Sequence, residues 1–267
     1  MATTKTRQKK LRTDLLLLTL IMLIVSCVFW FSNLDIYLQS LFFKQSEGWF
    51  LKDYFLFAGI YQYGPYLSFL IFLASIILLP LSYFIDYLKK YRKSFIFIIL
   101  FLTIGSGLIV NSLFKDHWGR PRPREIMEFG GGYRFIHHWV MGPLGKNSSF
   151  PSGHASVAFF MIFPYFINRK KKAFLTLTPG ILWGLLMGTI RMAQGGHFAS
   201  DVIYAGFFMY LTGLLIFYSL RLDIKETEGD LEEKVVIVVK HHRYRGIDSF
   251  CTISQQSRGG KEGEGGS

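Results

Sequence analysis

Cysteine is almost missing from this 267-residue chain: Cys27 lies in an apolar run, Cys251 lies near the C-terminus, and no CxxC spacing exists. Two thiols so placed make no plausible disulfide framework. Acid is scarce as well, with 18 Asp and Glu against 30 Lys and Arg. Asp116, Glu125, Glu128 and Asp201 are scattered among cations, so no acidic cluster has metal-ligand spacing and neither a metal nor a cofactor is expected. No internal repeat of short period occurs. Charged residues amount to only 18%, and they are bunched rather than spread. A net charge of +12 could point to nucleic acid, but the basic residues fall in short clusters between apolar runs. That pattern fits membrane orientation, so the bilayer is the expected partner and nucleic acid is not.

Apolar residues are what the chain has in excess: they make up 51%, with 27 Phe and 14 Tyr, and mean hydropathy is +0.30. Six apolar runs stand out: Leu15–Phe31, a run beginning between Tyr54 and Pro65 and ending at Leu81, Ser94–Phe114, Pro151–Ile167, Ala173–Ile190 and Val202–Leu220. A helix needs about 20 residues to cross about 30 Å of hydrocarbon, and all six come near that. The fourth is short, which predicts that it starts inside a protein-lined cavity. A basic start before the first run resembles a signal peptide, but the bulky stretch Val25–Phe29 lacks the small residues of a cleavage site, so a retained spanning helix is expected. Residues 32–53 mix polar and aromatic groups, as an interfacial segment does. The expected fold is all-α, a bundle of six transmembrane helices over 15–220. A basic N-terminus (1–14) precedes it, and a charged, partly disordered tail (221–267) follows, in which Val235–Val239 could form a strand or lie on the membrane.

Basic residues set the orientation. With six spans, the N-terminus, the 86–93 and 168–172 loops and the tail share one side and hold 21 of the 30 Lys and Arg. The positive-inside rule puts both termini in the cytoplasm and places 115–154 and 191–201 together on the outer, periplasmic face.

Three polar clusters lie on that face. In Lys115-Asp-His-Trp-Gly-Arg120-Pro-Arg122-Pro-Arg124, four cations fall within ten residues on a proline-stiffened backbone. Arg forks and a Lys point charge suit phosphate, although a basic patch touching anionic lipid would look the same. The second cluster, Pro151-Ser152-Gly153-His154, opens a helix. Pro and Ser there are ordinary capping residues, while free N–H groups at a helix start favour an anion and Gly153 lets one approach. His154 can move a proton near neutral pH, or be merely structural. The third is Arg191-Met-Ala-Gln-Gly-Gly-His197-Phe-Ala-Ser-Asp201. His197 and Asp201 are four apart and share a helical face. A carboxylate that takes the proton of one ring nitrogen leaves the other as a nucleophile, though such a pair can also simply join helices. Ionisable groups at membrane depth are costly and read as functional. Taken together, the clusters hold what phosphoryl transfer through a phosphohistidine requires.

The order Lys115-x6-Arg122-Pro123, Pro151-Ser-Gly-His154 and Arg191-x5-His197-x3-Asp201 resembles the three-part signature of the type 2 phosphatidic acid phosphatase (PAP2) superfamily, which shares its signature with haloperoxidases. The Phe114–Pro123 and Arg191–Phe198 stretches look most like bacterial lipid A phosphatases of the 4′-phosphatase kind. The resemblance covers roughly 15–220. It implies that His197 is the nucleophile, Asp201 its orienting partner and His154 the acid for the leaving oxygen. Lys115, Arg122, Ser152, Gly153 and Arg191 would bind the phosphoryl oxygens, and Arg120, Arg124 and Arg134 are head-group candidates, Arg120 alternatively standing behind the site. The family usually has Ser before the third-motif Arg. Here Ile190 stands there, and Thr189 would face another way.

The expected function is therefore an integral inner-membrane lipid phosphatase that is independent of metal and acts at the outer leaflet on a membrane lipid phosphate. The long polar loop 124–147, with Arg124, Glu125, Glu128, Arg134, His137, His138 and Lys146, favours a lipid A-type sugar phosphate. Undecaprenyl diphosphate, phosphatidylglycerophosphate and phosphatidate are alternative substrates. A phosphotransferase passing phosphoryl to a second lipid is the rival enzyme, and a lipid transporter or binding protein is the rival class. A soluble haloperoxidase is disfavoured by the apolar runs.

Overall fold

The structure is a computed structural model that describes residues 2–145, 148–168 and 173–222. Lys146, the Arg169–Lys172 cluster and the tail from 223, including Cys251 and Val235–Val239, lie outside the described residues. The described residues form helices and no strands.

The first helix, α1 (Ala2–Phe31), starts well before the apolar run. Residues 2–14 contain neither Gly nor Pro and are rich in good helix formers, so nothing interrupts the helix in its basic part. Arg7 donates to the Tyr218 carbonyl and Asp14 accepts from the Tyr218 hydroxyl at 2.9 Å, tying the extension to the far end of the last helix. The interfacial segment folds in part into α2 (Leu34–Ser40). Next come α3 (Phe55–Leu81), a short turn at Asp86–Lys89, and α4 (Arg92–Lys115). From Phe101 onward α4 is wound in wide π turns, a form often found near functional sites. The Asn111 amide and the Ser112 hydroxyl reach back five residues to the carbonyls of Ser106 and Gly107.

The remaining helices are α5 (Gly153–Ile167), α6 (Ala173–Ala193) and α7 (Ala199–Ser219). Residues 5–31, 55–81, 92–115 and 199–219 are long and apolar enough to cross a membrane. With α5, short as expected, and the 21-residue apolar helix α6, six helices match the six runs. In α7, 61% of the most apolar stretch is buried inside the protein, against 11% in α1, so α7 is the axis of the bundle and α1 lies at its rim. Exposed Leu16, Leu20, Leu23 and Ile24 on α1 and Leu67, Leu70 and Leu73 on α3 suit contact with lipid. Small residues bring the inner helices close: a Cβ on Gly184 would overlap the Phe159 ring, and one on Gly188 would overlap Val202.

Candidate active site

The C-terminal ends of α4 and α6 and the N-terminal ends of α5 and α7 meet at one end of the bundle, opposite the 82–91 connection. Main-chain hydrogen bonds stitch the three clusters together there. Ser148 N–H donates to Lys115 O at 2.9 Å and Ser149 N–H to Arg120 O at 2.8 Å, joining the first cluster to the approach to the second. Ser152 N–H donates to Asp201 O at 3.1 Å, and Arg124 N–H to Gly195 O at 3.2 Å. Part of the relative placement of the clusters is therefore set by main-chain bonds that no exchange of side chains removes.

His197 sits in the tight turn between α6 and α7. The turn needs Gly195 at φ +63°, where a side chain would be strained and would strike the Trp49 ring. His197 is fully buried, and its Nδ1 lies 2.6 Å from the Ser149 carbonyl oxygen. A carbonyl only accepts, so Nδ1 carries the proton and Nε2 holds a lone pair. Among the described residues Nε2 has no hydrogen-bond partner. Asp201 Oδ2 is 3.8 Å from Nδ1, too far for the direct bond expected from the sequence. Burial, and then the charges of Arg191, Lys115 and Arg122, hold the imidazole well below its ordinary pKa, against the opposing pull of the Ser149 carbonyl.

Around this nitrogen stand the expected cations. A Cβ built on Gly153 would lie 3.2 Å from Lys115 Nζ, so the ammonium abuts the start of α5. A Cβ on Gly196 would lie 2.7 Å from Arg191 Nη2, which puts that guanidinium beside the His197 turn. Arg191 Nη1 donates to Gln194 Oε1 at 2.5 Å. Arg122 is nearly buried, and burial and then the charge of Arg124 lower its pKa. The Ser152 side chain is buried as the N-cap of α5 and accepts from Ala155 N–H at 3.4 Å. His154 is half-buried, with its ring 4.7 Å from that of Tyr61. Tyr61 also neighbours Arg191, whose Cζ lies 4.6 Å from the ring centroid, so one aromatic side chain bridges the expected acid and an expected phosphate ligand.

Arg120 corrects the head-group expectation. It is completely buried, with Nη1 bonded to Asp201 Oδ1 at 2.5 Å and to Ser200 Oγ at 2.8 Å, Nη2 to Asp35 Oδ2 at 2.9 Å, and Nε to the Ile136 carbonyl at 2.8 Å. Burial opposes its charge, but Asp201 and Asp35 more than offset this, and its pKa is raised. A guanidinium so engaged has no reach to a lipid. Asp201 is likewise saturated: its Oδ2 accepts from the Ser149 hydroxyl at 2.6 Å and from Phe198 N–H at 2.7 Å.

Elsewhere in the outer loop, Arg124 and Arg134 are exposed, while His138 is fully buried and stacked on Tyr204 at 4.9 Å. Neither His138 ring nitrogen has a partner among the described residues, and burial and then Arg120 push its pKa down to about 4. His137 stacks on Trp30 at 4.9 Å. His138 is thus a core residue and leaves the head-group set. Ile190 is buried and Thr189 exposed, so no hydroxyl from either replaces the family's serine. Asp35, Ser149 and Tyr61 are the site residues that the sequence did not single out. A lone acid in the acid-poor segment 32–43 was the available signal for Asp35. Among the described residues, no group of three or more His, Cys, Asp or Glu is placed to hold a metal ion.

Comparison with known proteins agrees with this arrangement. A family model described as PAP2 superfamily matches residues 95–225, from the start of α4 past the end of α7. The lipid A 4′-phosphatase of Francisella tularensis subsp. novicida is 41% identical over 202 residues, covering 73% of this chain and 90% of that protein. The lipid A 4′-phosphatase of Rhizobium etli is 32% identical over 120 residues, 45% of each chain. Phosphatidylglycerophosphatase B of Bacillus subtilis is 29% identical over 161 residues, 55% of this chain and 68% of that one. No solved structure gives a significant match. With all three clusters inside the family match, and one relative covered over nearly its whole length, the chain belongs to the PAP2 superfamily.

Proposed function

We propose that this protein is an integral-membrane phosphoric ester hydrolase that removes a phosphate from a lipid A-type sugar phosphate at the outer leaflet, through a phosphohistidine. One observation carries the reading: His197 is held with Nδ1 protonated and Nε2 unpartnered, beside Lys115, Arg122 and Arg191. His138 is also buried with unpartnered nitrogens and serves only the core; His197 differs in that its free nitrogen lies among three cations suited to a phosphoryl group, as a nucleophile requires.

The chemistry follows from the placement. Three cations neutralise the phosphoryl oxygens, with the Gly153 main chain beside them, and draw charge toward the equatorial plane of the transition state. His197 Nε2 attacks phosphorus as the ester P–O bond breaks. The leaving oxygen takes a proton from His154 in its imidazolium form, giving phospho-His197 and a free lipid hydroxyl. Water then attacks the phosphohistidine, His154 removes a proton from it, and inorganic phosphate leaves with His197 restored. Asp201, next to Nδ1, stabilises the positive charge that the ring carries while phosphorylated.

The named activities of the Francisella and Rhizobium relatives support lipid A as the substrate class, and exposed Arg124 and Arg134 offer charge to a phosphorylated sugar head group. The bias of Lys and Arg supports cytoplasmic termini and a site on the periplasmic face of the inner membrane. Phosphatidylglycerophosphate is the second candidate, supported by the Bacillus relative. Purified protein supplied with lipid A, phosphatidylglycerophosphate, undecaprenyl diphosphate and phosphatidate is expected to release phosphate fastest from lipid A, and His197→Ala from none. Preference for another lipid overturns the substrate reading. Activity surviving in His197→Ala overturns the mechanism.

A further inference from the structure

Helix α2 is seven residues long, yet it reaches the nucleophile turn twice from outside the three clusters. Asp35 and Gln39 lie one helical turn apart, so they share a face, and both are buried. Asp35 Oδ1 accepts Ser200 N–H at 2.9 Å, and Oδ2 accepts the Ser200 hydroxyl at 2.6 Å as well as Arg120 Nη2 at 2.9 Å. Gln39 Nε2 donates to the Met192 carbonyl at 2.6 Å. Met192 is in the last turn of α6 and Ser200 in the first turn of α7. One short helix therefore grips both flanks of the turn that carries His197.

The need for such a grip can be read from the start of α7. Its N-cap, Phe198, has no polar side chain, yet the first N–H groups of a helix need acceptors. Asp201 takes that of Phe198, and Asp35 supplies, from another helix, the carboxylate that takes that of Ser200. A negative charge at this end also meets the positive pole of the α7 dipole. Through Arg120 the same carboxylate fixes Asp201 Oδ1, and so the rotamer that leaves Oδ2 facing the Ser149 hydroxyl and the His197 ring. Arg120 Cζ also lies 4.3 Å over the Phe198 ring, pressing on the residue next to His197.

We infer that Asp35 and Gln39 form a positioning clamp for the nucleophile turn: without touching substrate, they hold His197 Nε2 in line with the phosphate. The inference rests on the phosphohistidine reading above. In-line transfer is sensitive to placement, and a shift of about 1 Å in the attacking atom lowers a rate by about 100-fold. Lys115 and Arg122 lie outside the gripped turn, and the Arg191 guanidinium bonds Gln194, so the phosphate-binding cations make no direct bond to Asp35 or Gln39 among those seen. The clamp therefore acts on kcat and leaves phosphate affinity alone.

The full chain in detergent, carrying Asp35→Asn, tests this. Asparagine keeps the size of aspartate but turns an N–H toward Ser200 or Arg120. With lipid A as substrate, kcat is expected to fall by about 100-fold, while the inhibition constant of inorganic phosphate stays within about twofold of wild type. A kcat within threefold of wild type overturns the clamp. If Asp35→Asn loses phosphate inhibition too, Gln39→Leu decides: it removes only the bond to Met192 and is expected to lower kcat about tenfold with phosphate inhibition intact. An unchanged kcat in Gln39→Leu overturns the clamp. His197→Ala is measured alongside. Activity remaining there overturns the phosphohistidine reading, whereas inactive His197→Ala beside fully active Asp35→Asn overturns the clamp alone.

Discussion

The imidazole of His197 is oriented by the main-chain carbonyl of Ser149, 2.6 Å from Nδ1, and not by the carboxylate of Asp201, which stands 3.8 Å away. In a triad where the acid alone fixes the tautomer, removing its charge lowers kcat by about 10,000-fold. Here a carbonyl that no side-chain substitution removes already fixes it. Asp201→Asn is therefore expected to lower kcat by only about 10- to 100-fold, against complete loss in His197→Ala. Steady-state rates of the two purified variants check this, and equal loss in both would assign the tautomer to Asp201.

Arg120 neutralises two buried carboxylates at once. Removing one partner from a buried ionic group leaves unpaired charge and costs about 3–5 kcal/mol. Arg120→Leu is expected to lower the melting temperature in detergent sharply and to reduce yield. Arg120→Lys rescues little, because one ammonium cannot reach Asp35, Asp201, Ser200 and the Ile136 carbonyl together. Arg124→Ala and Arg134→Ala, on exposed positions, are expected to leave melting unchanged and to raise KM for lipid A.

His138 gives the fold an acid sensitivity that the chemistry does not need. Its pKa in the folded protein is about 4, below its ordinary value of 6.5. Between those values the unfolded chain binds the proton and the folded protein does not, so stability is lost as pH falls from about 6.5 toward 4. His197, also held low, adds to the loss in the same direction. His138→Phe keeps a ring against Tyr204 and removes two unpartnered nitrogens. Melting curves at pH 7 and pH 4.5 should lie closer together in this variant than in wild type, and an unchanged gap would remove His138 as the source.

A phosphohistidine path without a metal predicts inhibition by vanadate, which mimics five-coordinate phosphorus on the nucleophile, and indifference to EDTA. Phosphate release from lipid A with and without each reagent measures both, and loss of activity in EDTA would count against the metal-free path.

Much of this was legible in the sequence because it is written in local terms. Apolar runs of spanning length gave six helices, and fixed spacings such as Arg191-x5-His197 put the right residues at helix ends. The rest depended on contacts made at long range. Arg120 and Arg122 look alike in a Gly-Arg-Pro-Arg-Pro string. Only the fold shows that Arg120 points into the α2–α7 contact, while Arg122 belongs with the other site cations. Asp35 lies 166 positions before Asp201, and no local spacing marks Arg120 as the counterion the two share. The Ser149 carbonyl is main chain and has no signature at all. The basic N-terminus, expected to precede the first helix, is part of it, because charge ends an apolar run but does not end a helix.

The main-chain bonds that join Lys115 to Ser148, Arg120 to Ser149, Ser152 to Asp201 and Arg124 to Gly195 survive any exchange of the reactive side chains. A protein stripped of its nucleophile should thus keep its cup intact and become bait. His197→Ala, purified gently from the native membrane, would retain uncleaved lipid in the ring of cations, and mass spectrometry of what it carries would let the molecule report its own substrate.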